Sequence, residues 1–178
     1  AFSTIANNDK VGVIFFSDKI EKFIPAQKGK THVLHIIREL LSFEPSSTGT
    51  DIAQALQYFS NAQKRHCTAF LISDFIGVEG LGKPLMIASN RHEVNAIQIY
   101  DRRETELPNV GLVKFHDAET GQDLWVDTAV ASVREQYASE WKQNQSRIEQ
   151  LCTKTGVKRM SVRTDEDYVK ALMKLFKS

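Results

Sequence analysis

Two short stretches decide the fold, "FEPSSTGTDIAQAL" at residues 43–56 and "FLISDF" at residues 70–75. The first is a loop followed by apolar residues at helical spacing, such as Ile52 and Leu56. The second ends an apolar run that is typical of a buried strand and stops at Asp74. A helix that leads into a parallel strand runs opposite to it. The start of this helix and the end of this strand are therefore expected at one edge of a sheet.

Strands alternate with helices along the rest of the chain. The apolar patterns predict strands at residues 10–16, 22–26, 67–73, 93–101 and 157–164, and helices at 31–43, 51–63, 83–90, 128–155 and 166–178. Two further strand-like runs surround "AETG" and predict an added β-hairpin near residues 111–127. The alternation indicates an α/β fold with a doubly wound, mostly parallel sheet. The sequence shows no repeat and no linker, which predicts one domain over residues 1–178.

Several residues predict where elements begin and end. Thr31 and Asp165 suit the N-caps of their helices, since their side chains can accept a backbone N–H bond. Gly156 suits the left-handed end of the long helix. Gly121 suits the left-handed position of the hairpin turn.

The predicted topology brings Asp18, Thr50, Asp51 and Asp74 to the carboxyl edge of the sheet, where open α/β sheets bind ligands. Each residue also has an ordinary explanation. Thr50 suits the N-cap of its helix, Asp51 complements the helix dipole, and Asp18 and Asp74 suit turns. The pattern alone leaves both interpretations open.

The composition excludes some classes of protein. A net charge of +1, with Lys and Arg spread along the chain, gives no basis for nucleic-acid binding. The apolar runs are too short to span a membrane. Cys67 and Cys152 lie far apart, which favours reduced thiols and a cytoplasmic protein.

The chain begins "AFSTIANNDK", without an initiator Met. Residues 1–6 look like the last turn of a helix, and Asn7 and Asn8 provide the left-handed exit that helix ends favour. This start predicts a piece of a longer protein.

The order and separation of "KVGVIFFSD", "GTDIAQAL" and "FLISDF" resemble the von Willebrand factor A fold. In that family three loops build a metal-ion-dependent adhesion site at the carboxyl edge. The resemblance assigns the second-loop Thr to Thr50 and the third-loop Asp to Asp74, with Asp51 and Asp18 as further candidates. The first-loop motif, Asp-x-Ser-x-Ser, is not in the sequence, so its central strand is expected upstream of residue 1.

A longer resemblance covers nearly the whole chain. "YDRRETELPNVGLVKFHDAETGQDLWVDT" and the preceding segments are similar to the bacterial domain-of-unknown-function family fifty-eight, von Willebrand factor A-like proteins usually encoded beside MoxR-type AAA+ ATPases. The resemblance implies a non-enzymatic interaction domain and a MoxR-type ATPase as its partner.

The oxygen ligands of such a site suit Mg²⁺ or another hard divalent cation. With only Thr50 and Asp74 from the family's motif, the chain is expected to bind it more weakly than about 1 mM, or not at all. Loss of the central strand would expose the strands at Val11 and Phe70 as edges. We expect these two strands either to pair directly or to form a homo-oligomer in which two copies exchange segments.

The competing class is an enzyme. Asp74 could be the nucleophile of a Mg²⁺-dependent phosphotransfer protein or phosphatase, with Lys83 as the nearest candidate cation. A calcium loop in "DAETGQDLWVD" is disfavoured, because its Gly falls one position early and no terminal Glu follows.

Overall fold

A computed structural model describes residues 7–116, 121–169 and 173. The chain forms two compact units, Ala1–Ala62 and Gln63–Ser178. The elements in chain order are β1 Val11–Phe16, β2 Ile20–Gln27, α1 Lys30–Ser42, α2 Ile52–Ala62, β3 Thr68–Ser73, α3 Gly82–Ser89, β4 Glu93–Tyr100, α4 Arg102–Thr105, β5 Leu112–His116, β6 Asp123–Asp127, α5 Ala131–Thr155 and β7 Lys158–Arg163.

The first unit consists of the antiparallel pair β1–β2 and the helices α1 and α2. Phe15, Ile24 and Ile36 form its buried core, and Phe43 stacks on Phe15 at 4.8 Å between ring centroids. Asn8 has a positive φ of 56°, which confirms the left-handed backbone predicted there. The predicted helix tail at residues 1–6 lies outside the described residues.

The second unit contains a parallel sheet in the order β3-β4-β7. Its middle strand β4 is buried from Val94 to Gln98, and Leu85 of α3 and Ile148 of α5 have no exposed surface. The parallel α/β arrangement predicted from the alternation is confirmed for these three strands. The expectation of a single wound sheet needs correction, because β1–β2 and β5–β6 form separate two-stranded antiparallel sheets in the described residues.

The added hairpin is confirmed, with β5 antiparallel to β6. Gly121 has a φ of 71°, the left-handed value predicted for it. Residues 117–120, which include most of the predicted turn, lie outside the described residues.

The long helix ends as predicted at Gly156, with φ 67° and ψ 18°. It begins at Ala131, three residues later than expected, because Thr128 bonds to the base of the hairpin instead of entering the helix.

The predicted cap Thr31 is wrong, since α1 begins at Lys30 after Gly29, whose φ of 103° permits an earlier turn. Asp165 pairs with Arg163, and Asp167 instead accepts the N–H of Val169 at 3.0 Å. Most of the predicted last helix lies outside the described residues.

Gly12 lies in β1 at an irregularity in the pairing with β2, between Val11 and Val13. A Cβ atom at Gly12 would lie 2.8 Å from the Ile24 carbonyl oxygen and 2.9 Å from the Ala26 nitrogen, both of them backbone atoms. We expect Gly12→Ala to lower the free energy of unfolding by about 1–3 kcal/mol, as overpacking does. Urea denaturation, monitored by circular dichroism, measures this loss of stability. Gly82→Ala is the control, because its Cβ would meet only Leu151 Cδ1 at 3.5 Å, and an unchanged Gly12→Ala midpoint would contradict the prediction.

His92 makes stability depend on pH. Its side chain is 3% exposed, and the Cys67 thiol lies 3.6 Å from its Nδ1. Burial first, and then the positive charges of His66 and Arg91, lower the pKa of His92 below its usual 6.5. Below about pH 6.5 the unfolded chain takes up a proton that the folded chain resists, so stability is full above that pH and is lost as the pH falls.

We therefore expect the urea midpoint to fall between pH 7.5 and pH 5.5, within the range where a histidine titrates. His92→Gln removes the titrating group and should show a smaller fall. An equal fall in both proteins would contradict the assignment to His92.

Candidate functional site

The end of β1 begins the first part of the candidate site. Ser17 is 5% exposed, and its backbone N–H donates to the Lys19 carbonyl at 2.9 Å, which forms the turn into β2. Its hydroxyl donates to the Glu21 carboxylate at 2.7 Å. The turn therefore holds the exposed Asp18 immediately after the strand.

Glu21 connects this turn to the loop that carries Thr50. Its carboxylate accepts bonds from the backbone N–H and the hydroxyl of Ser46, at 3.0 and 2.6 Å. The hydrogen bonds from Ser46 and then from Ser17 lower the pKa of Glu21. Glu21 was not predicted as a site residue, since a glutamate near the start of a strand gives no local sign of a partner 25 residues away.

Asp51 is the N-cap of α2. Its carboxylate accepts the N–H of Gln54 at 2.8 Å, and its own N–H donates to the Ser17 carbonyl at 2.8 Å. The alternative that Thr50 caps the helix is thus wrong, because the cap falls one residue later. Thr50 is exposed, and its hydroxyl has no hydrogen-bond partner within the described ranges.

Asp18 lies beside the same loop. A Cβ atom at Gly49 would be 3.4 Å from Asp18 Cβ and 3.8 Å from Asp18 Oδ2. The first unit therefore brings Asp18, Thr50 and Asp51 together, and each offers an oxygen ligand. In the part of the chain that the structure describes, no group of three His, Cys, Asp or Glu side chains has metal-binding geometry.

Asp74 belongs to the second unit and follows β3 directly. Its Oδ1 accepts the Ile76 N–H at 3.1 Å and the Ser73 hydroxyl at 3.3 Å. Asp74 is exposed, and its Oδ2 has no donor among the residues described. Its carboxylate is oriented by local bonds while one oxygen stays open to a ligand.

Buried amides hold the backbone at this strand end. Gln98 of β4, with no exposed surface, donates to the Asp74 carbonyl at 2.9 Å. Asn144 of α5 donates to the Phe75 carbonyl at 3.2 Å. Phe75 is 1% exposed and has a φ of 57°, a strained value for a bulky residue. The two hydrogen bonds from these side-chain amides and the burial of the Phe75 ring stabilise this conformation.

Gln98 is in turn held by neighbours on β7. Its Oε1 accepts Arg159 Nη2 at 2.7 Å and the Ser161 hydroxyl at 3.1 Å. This network was not predicted, although a glutamine inside the apolar run "NAIQIY" is a visible signal of a buried polar contact.

Thr50 lies in the first unit and Asp74 in the second. Their participation in one metal site stays a prediction.

The chain is 27% identical over 181 residues to uncharacterized protein Rv1480 of Mycobacterium tuberculosis and to uncharacterized protein Mb1516 of Mycobacterium bovis. It covers 99% of its own length but 56% of theirs, so it spans little more than half of these curated relatives. Uncharacterized protein MAV169 of Mycobacterium avium is 29% identical over 159 residues, which are 87% of this chain and 92% of that protein.

The fold is similar to the crystal structure of the conserved hypothetical protein BatB from Bacteroides thetaiotaomicron. The TM-score is 0.54 at 17% identity, over 99% of this chain and 85% of that one. At such low identity the likeness concerns the fold alone. None of the helices described here is long and apolar enough to cross a membrane.

The model of the family described as "Protein of unknown function DUF58" matches residues 1–147. Because this match covers most of the chain, the protein belongs to the DUF58 family.

Proposed function

We propose that this chain is a non-enzymatic protein-interaction domain of the von Willebrand factor A type, which acts in the cytoplasm. In the complete protein a divalent cation, held in part by Thr50 and Asp74, receives a carboxylate from a MoxR-type AAA+ ATPase. The observation that carries the proposal is the geometry of Asp74. Its backbone is fixed by Gln98, and its Oδ2 is exposed beyond the end of a parallel strand.

The donors present are suited to a hard cation. A threonine hydroxyl and a carboxylate oxygen are ligands that Mg²⁺ accepts, and Mg²⁺ keeps several of its waters when few protein ligands bind it. Both side chains are exposed, so a ligand would not have to displace a buried hydrogen bond. A bound cation would supply the positive charge that attracts a partner's carboxylate.

Glu21 supports the same role as a positioning residue. Its bonds to Ser17 and Ser46 connect the β1–β2 turn to the loop before α2. The loop is thereby ordered before a partner arrives, which lowers the entropy cost of binding.

The proposal predicts a cation-dependent interaction of the full-length protein with the MoxR-type ATPase. We expect Asp74→Asn and Thr50→Val each to weaken binding at least about tenfold, or 1.4 kcal/mol, because each removes a cation ligand. Surface plasmon resonance, in Mg²⁺ and after addition of EDTA, measures the affinity of each variant for the ATPase.

Asp9→Asn is the matched control, since Asp9 is an exposed aspartate that precedes β1. Equal affinity of wild type and Asp74→Asn, or binding unaffected by EDTA, would remove the cation-dependent docking.

The non-enzymatic role predicts that Asp74 is not phosphorylated. Lys83 is exposed near the start of α3, and among the described residues it forms no ion pair with the Asp74 carboxylate. A phosphoryl group on Asp74 would need a cation beside its oxygens. We expect the intact mass to stay unchanged after incubation with acetyl phosphate and Mg²⁺. A gain of one phosphoryl group in wild type but not in Asp74→Asn would support the enzyme instead.

A further inference from the structure

Helix α1 of the first unit has two neighbouring lines of apolar residues. Both lines have the helical spacing i, i+3, i+7, and their members are Val33, Ile36 and Leu40 in the first line and Leu34, Ile37 and Leu41 in the second. The second line lies about 100° further round the helix, because each of its members directly follows a member of the first. The helix is therefore apolar over a wider arc than one packing face needs.

The first line attaches α1 to its own unit. Val33 and Ile36 are buried, and Ile36 belongs to the core cluster with Phe15 and Ile24. Leu40 continues this line at the end of the helix, where it is 62% exposed. The packing of α1 on the β1–β2 pair therefore uses the first line and leaves the second one free.

The second line lies on the surface. Leu34 is 45% exposed and Leu41 is 82% exposed, while Ile37 between them is partly buried. Scattered apolar side chains on a surface need no explanation, but grouped ones mark interaction sites. A single line at this spacing is the narrow seam by which one helix packs against another. We call Leu34, Ile37 and Leu41 the α1 seam.

Positive charge borders the α1 seam. Lys30 lies at its N-terminal end, and Arg38 lies beside Leu34, one turn further along the helix. Lys28 precedes the helix. All three basic side chains are exposed, and within the described part of the chain none of them forms an ion pair. Their charges are therefore available to a partner.

The acid of the helix does not cancel this charge. Glu39 follows Ile37 by two residues, so it lies on the opposite side of α1 from the seam. Its carboxylate accepts a hydrogen bond from Lys22 of β2, and its Oε1 lies 3.8 Å from His35 Nδ1. The next acid along the chain, Glu44, lies in the loop beyond the end of the helix. The seam therefore combines apolar side chains with unpaired cations.

We propose that the α1 seam binds an amphipathic helix of a protein partner. Apolar side chains of that helix pack against Leu34 and Leu41, as in other helix-to-helix recognition, and its Asp or Glu side chains meet Lys30 and Arg38. The contact uses no cation and neither Thr50 nor Asp74, so it goes beyond the proposed function.

A second copy of this chain fits the seam less well. Two α1 helices packed about a twofold axis, in either direction, would bring their Arg38 side chains together at the middle of the seam. Like charges in such positions oppose pairing. An acidic partner helix meets the same arginine with attraction.

A lipid surface also fits less well. Helices that lie in a membrane interface bury a broad apolar face and carry many basic residues, whereas the α1 seam is one residue wide. Residues 1–62 contain six Lys or Arg and six Asp or Glu, a net charge of 0, so the first unit gains little from anionic headgroups.

Selection from a display library of helical peptides with randomised surface positions tests the chemistry of the partner. The full chain is expected to enrich helices with apolar residues at i, i+3 and i+7 and with Asp or Glu beside them. Leu41→Ser is expected to abolish that enrichment. No enrichment, enrichment of helices flanked by Lys or Arg, or the same sequences with Leu41→Ser would overturn the proposal.

Fluorescence anisotropy of one labelled, selected peptide then measures the affinity. Leu34→Ser and Leu41→Ser should each raise the Kd by at least about tenfold, because each removes a seam contact. Arg38→Gln should raise it by up to about fivefold, since an exposed ion pair contributes little. Added salt should also raise the Kd, and EDTA should leave it unchanged, which separates this contact from the cation-dependent docking.

Leu40→Ser is the matched control, because Leu40 is an exposed leucine of the same helix that lies on the other line. Lys154→Gln is the control for charge, since Lys154 is an exposed lysine of α5. Circular dichroism checks that every variant is folded. Three results would contradict the proposal: equal weakening by the controls, binding to anionic vesicles but not to the peptide, or a dimer in sedimentation that Leu41→Ser dissociates.

Discussion

The buried amide of Gln98 is the interaction on which the second unit depends most. It lies on the middle strand with no exposed surface, donates to the Asp74 carbonyl and accepts from Arg159 and Ser161. One side chain therefore joins the backbone just after β3 to two side chains of β7, across the middle strand β4. A buried amide without such partners would cost about 1–3 kcal/mol, so these bonds also make other registers of the three strands unfavourable. Buried hydrogen bonds therefore fix the backbone at this edge of the sheet.

Glu21 also fixes backbone segments in the first unit, but it does so with a charged carboxylate instead of a neutral amide. Its carboxylate remains charged and collects three hydrogen bonds from Ser17 and Ser46. The polar loop before α2 has little apolar surface to bury, and most of its residues from 44 to 50 are exposed. Charged hydrogen bonds are stronger than neutral ones, so a single acid can order a loop that packing cannot. Asp51 completes the arrangement by capping α2 and bonding to the Ser17 carbonyl.

Periodicity in the sequence was sufficient to predict where most described elements exist, because burial imposes a period on each of them. It failed at several boundaries, since those depend on partners far away. Thr128 starts no helix because it binds the hairpin base, and Gly29 lets α1 begin before Thr31. The exposed candidate site residues could be predicted from topology, because they lie at the ends of strands or at the start of a helix. They are Asp18, Thr50, Asp51 and Asp74. Glu21 could not be predicted in this way, because its partner Ser46 lies 25 residues away. Gln98 stood out as a polar residue in an apolar run, but its bond to the Asp74 carbonyl, 24 residues away, left no local pattern.

The end of β3 and the base of the hairpin follow one physical rule. At Asp74 the backbone carbonyl is bound by a buried amide, and at the hairpin base the Gly111 carbonyl is bound by a buried hydroxyl. Because buried side chains donate hydrogen bonds to these backbone carbonyls, the outward side chains are not needed to stabilise the loops that carry them. Asp74 Oδ2 and the ring of Trp125 can therefore remain exposed without loss of stability. A partner that meets such preordered groups gives up little entropy in ordering them, so more of the contact energy appears as affinity.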